Sequence, residues 1–305
     1  MENILRNFFL FLSQNKALTK WAKKYGLRMG ARRFVAGETV EEAVSVIQEL
    51  NKKGLTVTVD YLGEFVDNEQ DANTMADHCL NTIRAIAREK LDAEVSLKLT
   101  SMGMDISMDV LMNNLRRILS EAKEHDIFVT IDMEDYKRCE KTLDIYKELR
   151  KDYDNVGTVL QAYLYRTEKD LEDLKEYAPK LRFVKGAYKE SPEVAYPDKK
   201  DVDENFKKLI RIHLENGHYA AVATHDDAII DYTKQLVKEI GIPKDQYEFQ
   251  MLYGIRTEKQ IELAKEGYKM RVYVPYGTDW FGFYMRRLAE RPANVGFLLR
   301  NLFAK

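Results

Sequence analysis

Along the chain, short runs of β-branched, aliphatic and aromatic residues alternate with longer stretches whose apolar positions recur at helical spacing. The runs fall at residues 56–60, 94–99, 128–132, 158–162, 182–185, 219–223, 247–252 and 270–274, lengths that suit buried strands. They recur at a mean of about 30 residues, the length of one strand–helix unit. Between them, residues 109–123 place Val110, Leu111, Asn114, Leu115, Ile118 and Leu119 on one helical face. Residues 202–215 do the same with Phe206, Leu209, Ile210 and His213. Strict alternation predicts a parallel sheet with right-handed crossovers. Eight units predict an α/β fold closed into a distorted (β/α)8 barrel of the TIM type rather than an open doubly wound sheet. A helix over 40–53 precedes the first strand. The expected organisation is one domain over 1–305, with N-terminal helices in 1–54, the barrel in 55–290 and a closing helix in 291–305.

Composition narrows the class. The 305 residues, 45% of them hydrophobic, suffice for a barrel of about 250 residues with added helices. Lysine and arginine number 48 against 50 acids, for a net charge of −2, which argues against a nucleic-acid partner. Cys79 and Cys139 lie in different segments without metal-ligand spacing, which predicts free thiols in a reducing, cytoplasmic compartment. No stretch approaches the ~20 apolar residues that span a bilayer. Phe8-Phe9-Leu10-Phe11-Leu12, followed by Lys16, Lys20, Lys23 and Lys24, lacks the small-residue cleavage site of a signal peptide. It reads as an amphipathic helix that either packs on the body or makes a peripheral membrane contact.

Barrel enzymes work at the C-terminal ends of their strands. Those ends deliver Lys98, Asp132, Gln161, Arg182, Lys185, His225 and Tyr273. The helical stretch after the last strand adds Arg286 and Arg287. This pair either clamps a small carboxylate, whose geometry matches a guanidinium fork, or pairs with Glu290 one turn on. One buried lysine or aspartate at a strand end is commonly half of a structural ion pair. So many on one rim, among aromatics, point to a functional site. No zinc motif, serine elbow or dinucleotide fingerprint accompanies them, and His225 has no nearby second and third ligands, so no metal is expected. The chemistry then falls to an organic cofactor. A flavin suits the lining, because its ring gains from a cation near N1 or N5 and from an edge donor such as Gln161. Arg182 and Lys185, beside Gly186-Ala187, suit an anionic flavin or its phosphates. Lys98 and Lys185 also permit a Schiff-base lyase, a reading that leaves Gln161, Arg182 and the arginine pair unused.

Over about residues 33–300 the chain resembles proline dehydrogenase in its short monofunctional bacterial form. The resemblance rests on Asp60-Tyr61-Leu62-Gly63-Glu64, Leu97-Lys98-Leu99-Thr100, Asp132-Met133-Glu134, Gln161-Ala162-Tyr163, residues 182–188, Ala223-Thr224-His225-Asp226, residues 249–254, Tyr273-Val274-Pro275-Tyr276-Gly277 and residues 286–294. It implies FAD, oxidation of L-proline to 1-pyrroline-5-carboxylate by hydride transfer to flavin N5, and delivery of electrons to a membrane quinone. By the same resemblance Lys98, Arg286 and Arg287 anchor the proline carboxylate. Tyr273 and Leu252 contact the proline ring, with either Phe283 or Tyr284 beside them. Asp132 stands beside the lysine, either orienting it or acting as a base. Arg182 falls at flavin N5 and Gln161 at the pyrimidine edge. Met133, Lys185, Gly186, Ala187, Tyr188, Thr224 and His225 fall where FAD binds, and Glu64 pairs with Arg286 as a gate.

Overall fold

The computed structural model describes residues 31–63, 66–177 and 179–290, the last five of these by backbone alone. Among them, eight strands form a closed, all-parallel barrel in sequence order. These are β1 (Thr56–Tyr61), β2 (Ala93–Leu97), β3 (Val129–Ile131), β4 (Val156–Gln161), β5 (Leu181–Val184), β6 (Ala220–Ala223), β7 (Tyr247–Leu252) and β8 (Met270–Tyr276). Closure comes from β1 against β8, in register from Thr56 opposite Arg271 to Tyr61 opposite Tyr276.

Helices return the chain between strands. In order, they are α1 (Val40–Lys52), α2 (Glu69–Arg88), α3 (Met108–Glu124), α4 (Tyr136–Arg150), α5 (Thr167–Leu174), α6 (Lys199–Glu215), α7 (Asp227–Glu239), α8 (Thr257–Lys265) and α9 (Trp280–Glu290). Several start as their sequences dictate. Thr39 and Glu42 form a reciprocal capping box on α1, while Asn68, Ser107, Asp135 and Asp226 each accept a first-turn N–H of the following helix. The apolar faces then pack onto the strands. In α3, Leu111, Leu115, Ile118 and Leu119 are buried, and burying one such side chain stabilises the fold by roughly 1.5–3 kcal/mol.

Seven of the eight strands depart from the expected bounds by one or two residues at an end, and three of these shifts have a clear cause. β2 stops at Leu97, since a 3-10 turn at Thr100–Met102 takes over. β3 is confined to Val129–Ile131, although Asp132 N–H still donates to Leu97 O at 2.8 Å. β8 runs past Tyr273 and through Pro275. Its pairing with β7 ends at Leu252 opposite Tyr273, so the missing N–H of Pro275 breaks no ladder bond on that side. The segment before α1 lies there instead, with Ala36 N–H donating to Pro275 O at 2.9 Å. The expected closing helix in 291–305 and the amphipathic start lie outside the described residues.

The barrel interior is charged from its base. Arg271 on β8 and Glu248 on β7 are both essentially inaccessible to solvent. Arg271 Nε donates to Glu248 Oε1 at 2.7 Å, its Nη2 lies 3.0 Å from Glu94 Oε1, and its Nη1 donates to Val57 O at 2.7 Å. Lys180 completes the pairing of Glu94 at 2.5 Å. Burial alone would raise the Glu248 carboxyl, but Arg271 and Lys180 outweigh it and keep it ionised, below the usual carboxylate range.

Candidate active site at the C-terminal strand ends

Above that base, six side chains from β1, β2, β5, β8 and the residues just after β2 and β3 meet in one network. Asp132, directly after β3, is its hub. Its Oδ1 accepts from Arg182 Nη1 at 2.6 Å and from Ser96 Oγ at 2.8 Å. Its Oδ2 accepts from the Tyr273 phenol at 2.7 Å and from Lys98 Nζ at 3.4 Å. Asp60 on β1 is the sixth member. It takes Lys98 Nζ at 2.9 Å and the same Tyr273 phenol at 2.8 Å.

The two carboxylates titrate in opposite directions. Burial pushes Asp60 up, and repulsion from Asp132 adds to it, beyond what Lys98 pulls back. Burial would push Asp132 up as well, but Lys98 and Arg182 together hold it below its usual range. The Tyr273 phenol is raised well above its ordinary value by burial and by both carboxylates, so it stays protonated and donates. The Arg182 guanidinium also lies 5.3 Å from the Tyr273 ring centroid, within cation–π range.

On the neighbouring strands, Gln161 Nε2 donates to Glu134 O at 3.1 Å. The Glu134 carboxylate accepts from Thr100 N–H at 3.1 Å and from Thr100 Oγ1 at 2.7 Å, tying the β2 and β3 ends together. Gln161 Oε1 and Arg182 Nη2 are buried with no hydrogen-bond partner among the described residues. At the end of β6, Thr224 Oγ1 accepts from Asp226 N–H, and His225 Nε2 accepts from Leu252 N–H at 3.0 Å. Met133 is buried beside the hub.

The loop after β5 carries Lys185, Gly186, Ala187 and the exposed Tyr188. Gly186 has φ +115°, and a Cβ there would lie 2.2 Å from the Tyr163 ring, so this backbone can lie flat on the tyrosine only as glycine. Lys185 is not a loose cation. Its Nζ is 2.5 Å from Asp203 and 2.7 Å from Asp226, and Lys199 pairs with the same two carboxylates.

Of the residues expected from sequence, Lys98, Asp132, Arg182 and Tyr273 are brought into direct contact. Gln161, Leu252, Thr224 and His225 stand on the same rim, and Lys185 is set apart in its own ion cluster. Glu64 and the side chains of Arg286 and Arg287 lie outside the described residues, although α9 places both arginine positions on the helix following β8. Phe283 and Tyr284 are both buried. The sequence reading missed Asp60 as the nearer partner of Lys98. It also missed Ser96, Glu134 and Gln250; each sits two residues from another polar residue, which was the available signal.

A closed parallel barrel with buried charges converging on its C-terminal rim is the architecture of a (β/α)8 enzyme. The profile of the family described as proline dehydrogenase matches residues 43–300. The chain is 58% identical over 302 residues to proline dehydrogenase 1 of Bacillus subtilis, covering 99% of this chain and 100% of that one. It is 45% identical over 277 residues to the proline dehydrogenase of Deinococcus radiodurans, covering 89% of each. Among solved structures it is similar to proline utilization A of Bdellovibrio bacteriovorus inactivated by N-propargylglycine. That match has a TM-score of 0.83 at 28% identity and covers 99% of this chain but 38% of the longer one. The chain belongs to the proline dehydrogenase family.

Proposed function

We propose that the protein oxidises L-proline to 1-pyrroline-5-carboxylate with FAD and passes the electrons to a membrane quinone, the first step of proline catabolism. The observation that carries this reading is a pair of buried polar atoms without a partner among the described residues, Arg182 Nη2 and Gln161 Oε1, on adjacent strands beside the Asp132 network. Buried polar atoms are normally paired. A donor and an acceptor left over on adjacent strands fit the polar edge of a flavin ring. When bound, the flavin supplies the hydride acceptor at N5.

The chain's own residues would do the rest. Arg182 presents positive charge where electron density arrives. Met133, Thr224, His225 and the segment Lys185-Gly186-Ala187-Tyr188 would line the cofactor. Lys98, with Arg286 and Arg287, would fix the substrate carboxylate, while Tyr273, Leu252 and Phe283 or Tyr284 wall the ring and exclude water. Such positioning can contribute ~7–11 kcal/mol of barrier lowering. Asp132, held ionised by two cations, serves better as the anchor of Lys98 and Arg182 than as a base.

Glu64 and Arg286 would pair as a gate over the site, so Glu64→Ala should raise KM for proline and slow flavin reduction. Contact with a lipid-soluble oxidant would be peripheral, through the amphipathic start at residues 1–25; among the described residues no helix is long and apolar enough to cross a membrane. Deleting residues 1–25 should abolish liposome co-sedimentation.

The deciding experiment is anaerobic titration of the purified protein. Stoichiometric flavin bleached by L-proline, and not by pyrrolidine at equal concentration, is the expected result. A colourless protein that gains nothing from added FAD overturns the proposal.

A further inference from the structure

Among the described residues, the guanidinium of Arg182 is held on two of its three nitrogens. Nη1 is taken by Asp132 and Ser96, at 2.6 and 3.1 Å. Nε donates to Gln250 Oε1 at 2.7 Å. Gln250 lies on β7 with 4% of its surface exposed, deeper in the barrel than the rim. Which atom of its amide faces Arg182 is fixed from below, because Gln250 Nε2 donates to Glu248 Oε1 at 2.6 Å. A carboxylate only accepts. The amide nitrogen must therefore face Glu248, and the oxygen must face Arg182.

Glu248 cannot turn away either. Its Oε1 also accepts from Arg271 Nε at 2.7 Å, and its Oε2 accepts from the Tyr219 phenol at 2.8 Å. Arg271 is in turn pinned by Glu94 and Val57 O. A chain of single-direction hydrogen bonds thus rises from the rigid barrel base to one nitrogen of Arg182. Its free end is Nη2.

We propose that Gln250 is a positioning residue for the proposed reaction: oriented by Glu248, it holds Arg182 Nε so that Nη2 is the nitrogen presented to the cofactor. This rests on the flavin reading of the site. Without Gln250 the guanidinium keeps its ion pair with Asp132 but can pivot about it, and the cation moves relative to the reacting atoms. A purely structural role for Gln250 predicts lower stability and an unchanged cofactor environment. A positioning role predicts a changed environment in a folded protein.

The test has two arms. In the first, side-chain NMR of protein labelled with 15N-arginine, without added flavin, follows the Arg182 Nε–H, assigned by its loss in Arg182→Lys. It should exchange slowly in the parent and rapidly in Gln250→Met. A rapidly exchanging Nε–H in the parent, or an unchanged one in Gln250→Met, overturns the inference whatever the flavin does. In the second, the holoenzyme of Gln250→Met should keep its flavin while its midpoint potential falls. Its rate of reduction by L-proline should drop between about tenfold and a hundredfold, the scale of a 1 Å misplacement, with KM nearly unchanged. Gln250→Glu, whose protonated carboxyl can both accept from Arg182 and donate to Glu248, should restore most of the rate. A parent with the protected Nε–H that takes no flavin overturns the flavin reading. A flavin-loaded Gln250→Met with parental potential and rate overturns positioning alone.

Discussion

The ammonium of Lys98 lies 2.9 Å from Asp60 and 3.4 Å from Asp132, so its nearer partner is on β1. The Arg182 guanidinium belongs to Asp132, at 2.6 Å. The two acids therefore divide the work, and their variants should separate. Asp60→Ala removes the nearer partner of Lys98, and charge-assisted contacts are worth ~1.5–3 kcal/mol. We expect KM for proline to rise about tenfold or more, with the limiting rate of flavin reduction changed less. Asp132→Ala should show the reverse pattern. Stopped-flow reduction over a range of proline concentrations distinguishes them, and identical effects on both constants would refute the division.

Tyr273→Phe keeps the apolar ring and removes one hydroxyl that serves two buried carboxylates. Asp60 and Asp132 then face each other with only Lys98 between them. Leaving such groups under-satisfied costs ~1–3 kcal/mol. The expected outcome is a lower urea midpoint and slower reduction by proline, with flavin content near normal. Retention of parental stability and rate would show that the phenol is dispensable.

The proposed carboxylate clamp makes a sharper prediction for α9. Arg287→Met should weaken proline use by at least tenfold while leaving flavin content intact, and Arg286→Met should behave alike. Steady-state kinetics with proline and pyrrolidine provides the check. If the parent uses both amines equally well, no clamp operates.

Stability should also depend on pH through His213. Burial holds this histidine neutral, lowering its pKa from 6.5 to about 3, while its Nε2 lies 3.0 Å from Tyr219 O. The unfolded chain takes up the proton near pH 6.5. Between pH 6.5 and 3 the unfolded state therefore binds more protons, so this contribution is fully present above pH 6.5 and is lost as pH falls. His78 and His218, lowered chiefly by burial, add in the same sense. Urea titrations across that window should show a steep decline that is partly flattened in His213→Phe. An identical slope in the variant would mean that His213 titrates normally.

Most of the barrel was legible because apolar strands and amphipathic helices alternate without a break, from residues 56–60 to 270–274. The rim chemistry was legible for a related reason: Lys98, Asp132, Arg182 and Tyr273 each interrupt or end an apolar run. Less visible was the charged interior. Strands buried on both faces are expected to be apolar throughout, so Glu94-x-Ser96-x-Lys98, Glu248-x-Gln250 and Arg271-x-Tyr273 read as ordinary alternation rather than as one inward-facing column. What joins them is register between strands distant in sequence, such as Thr58 opposite Tyr273, and no local pattern encodes that. The short β3 was missed at its ends because neighbouring loops continue the hydrogen bonding after regular pairing stops.

The pairing of β1 with β8 has a consequence for how the protein is made. Translation delivers β1 first and β8 last, with more than two hundred residues between Thr56 and its partner Arg271. Until β8 leaves the ribosome, the nascent sheet carries two unprotected edges, at β1 and β7, each able to pair with another chain. The same strand brings Arg271 to neutralise Glu248 and Tyr273 to bridge the two aspartates, and α9 follows it directly. Protection of the edges, neutralisation of the buried acid and assembly of the rim therefore become one late event. A stalled or C-terminally shortened chain should be a target for chaperones and proteases rather than a weak catalyst.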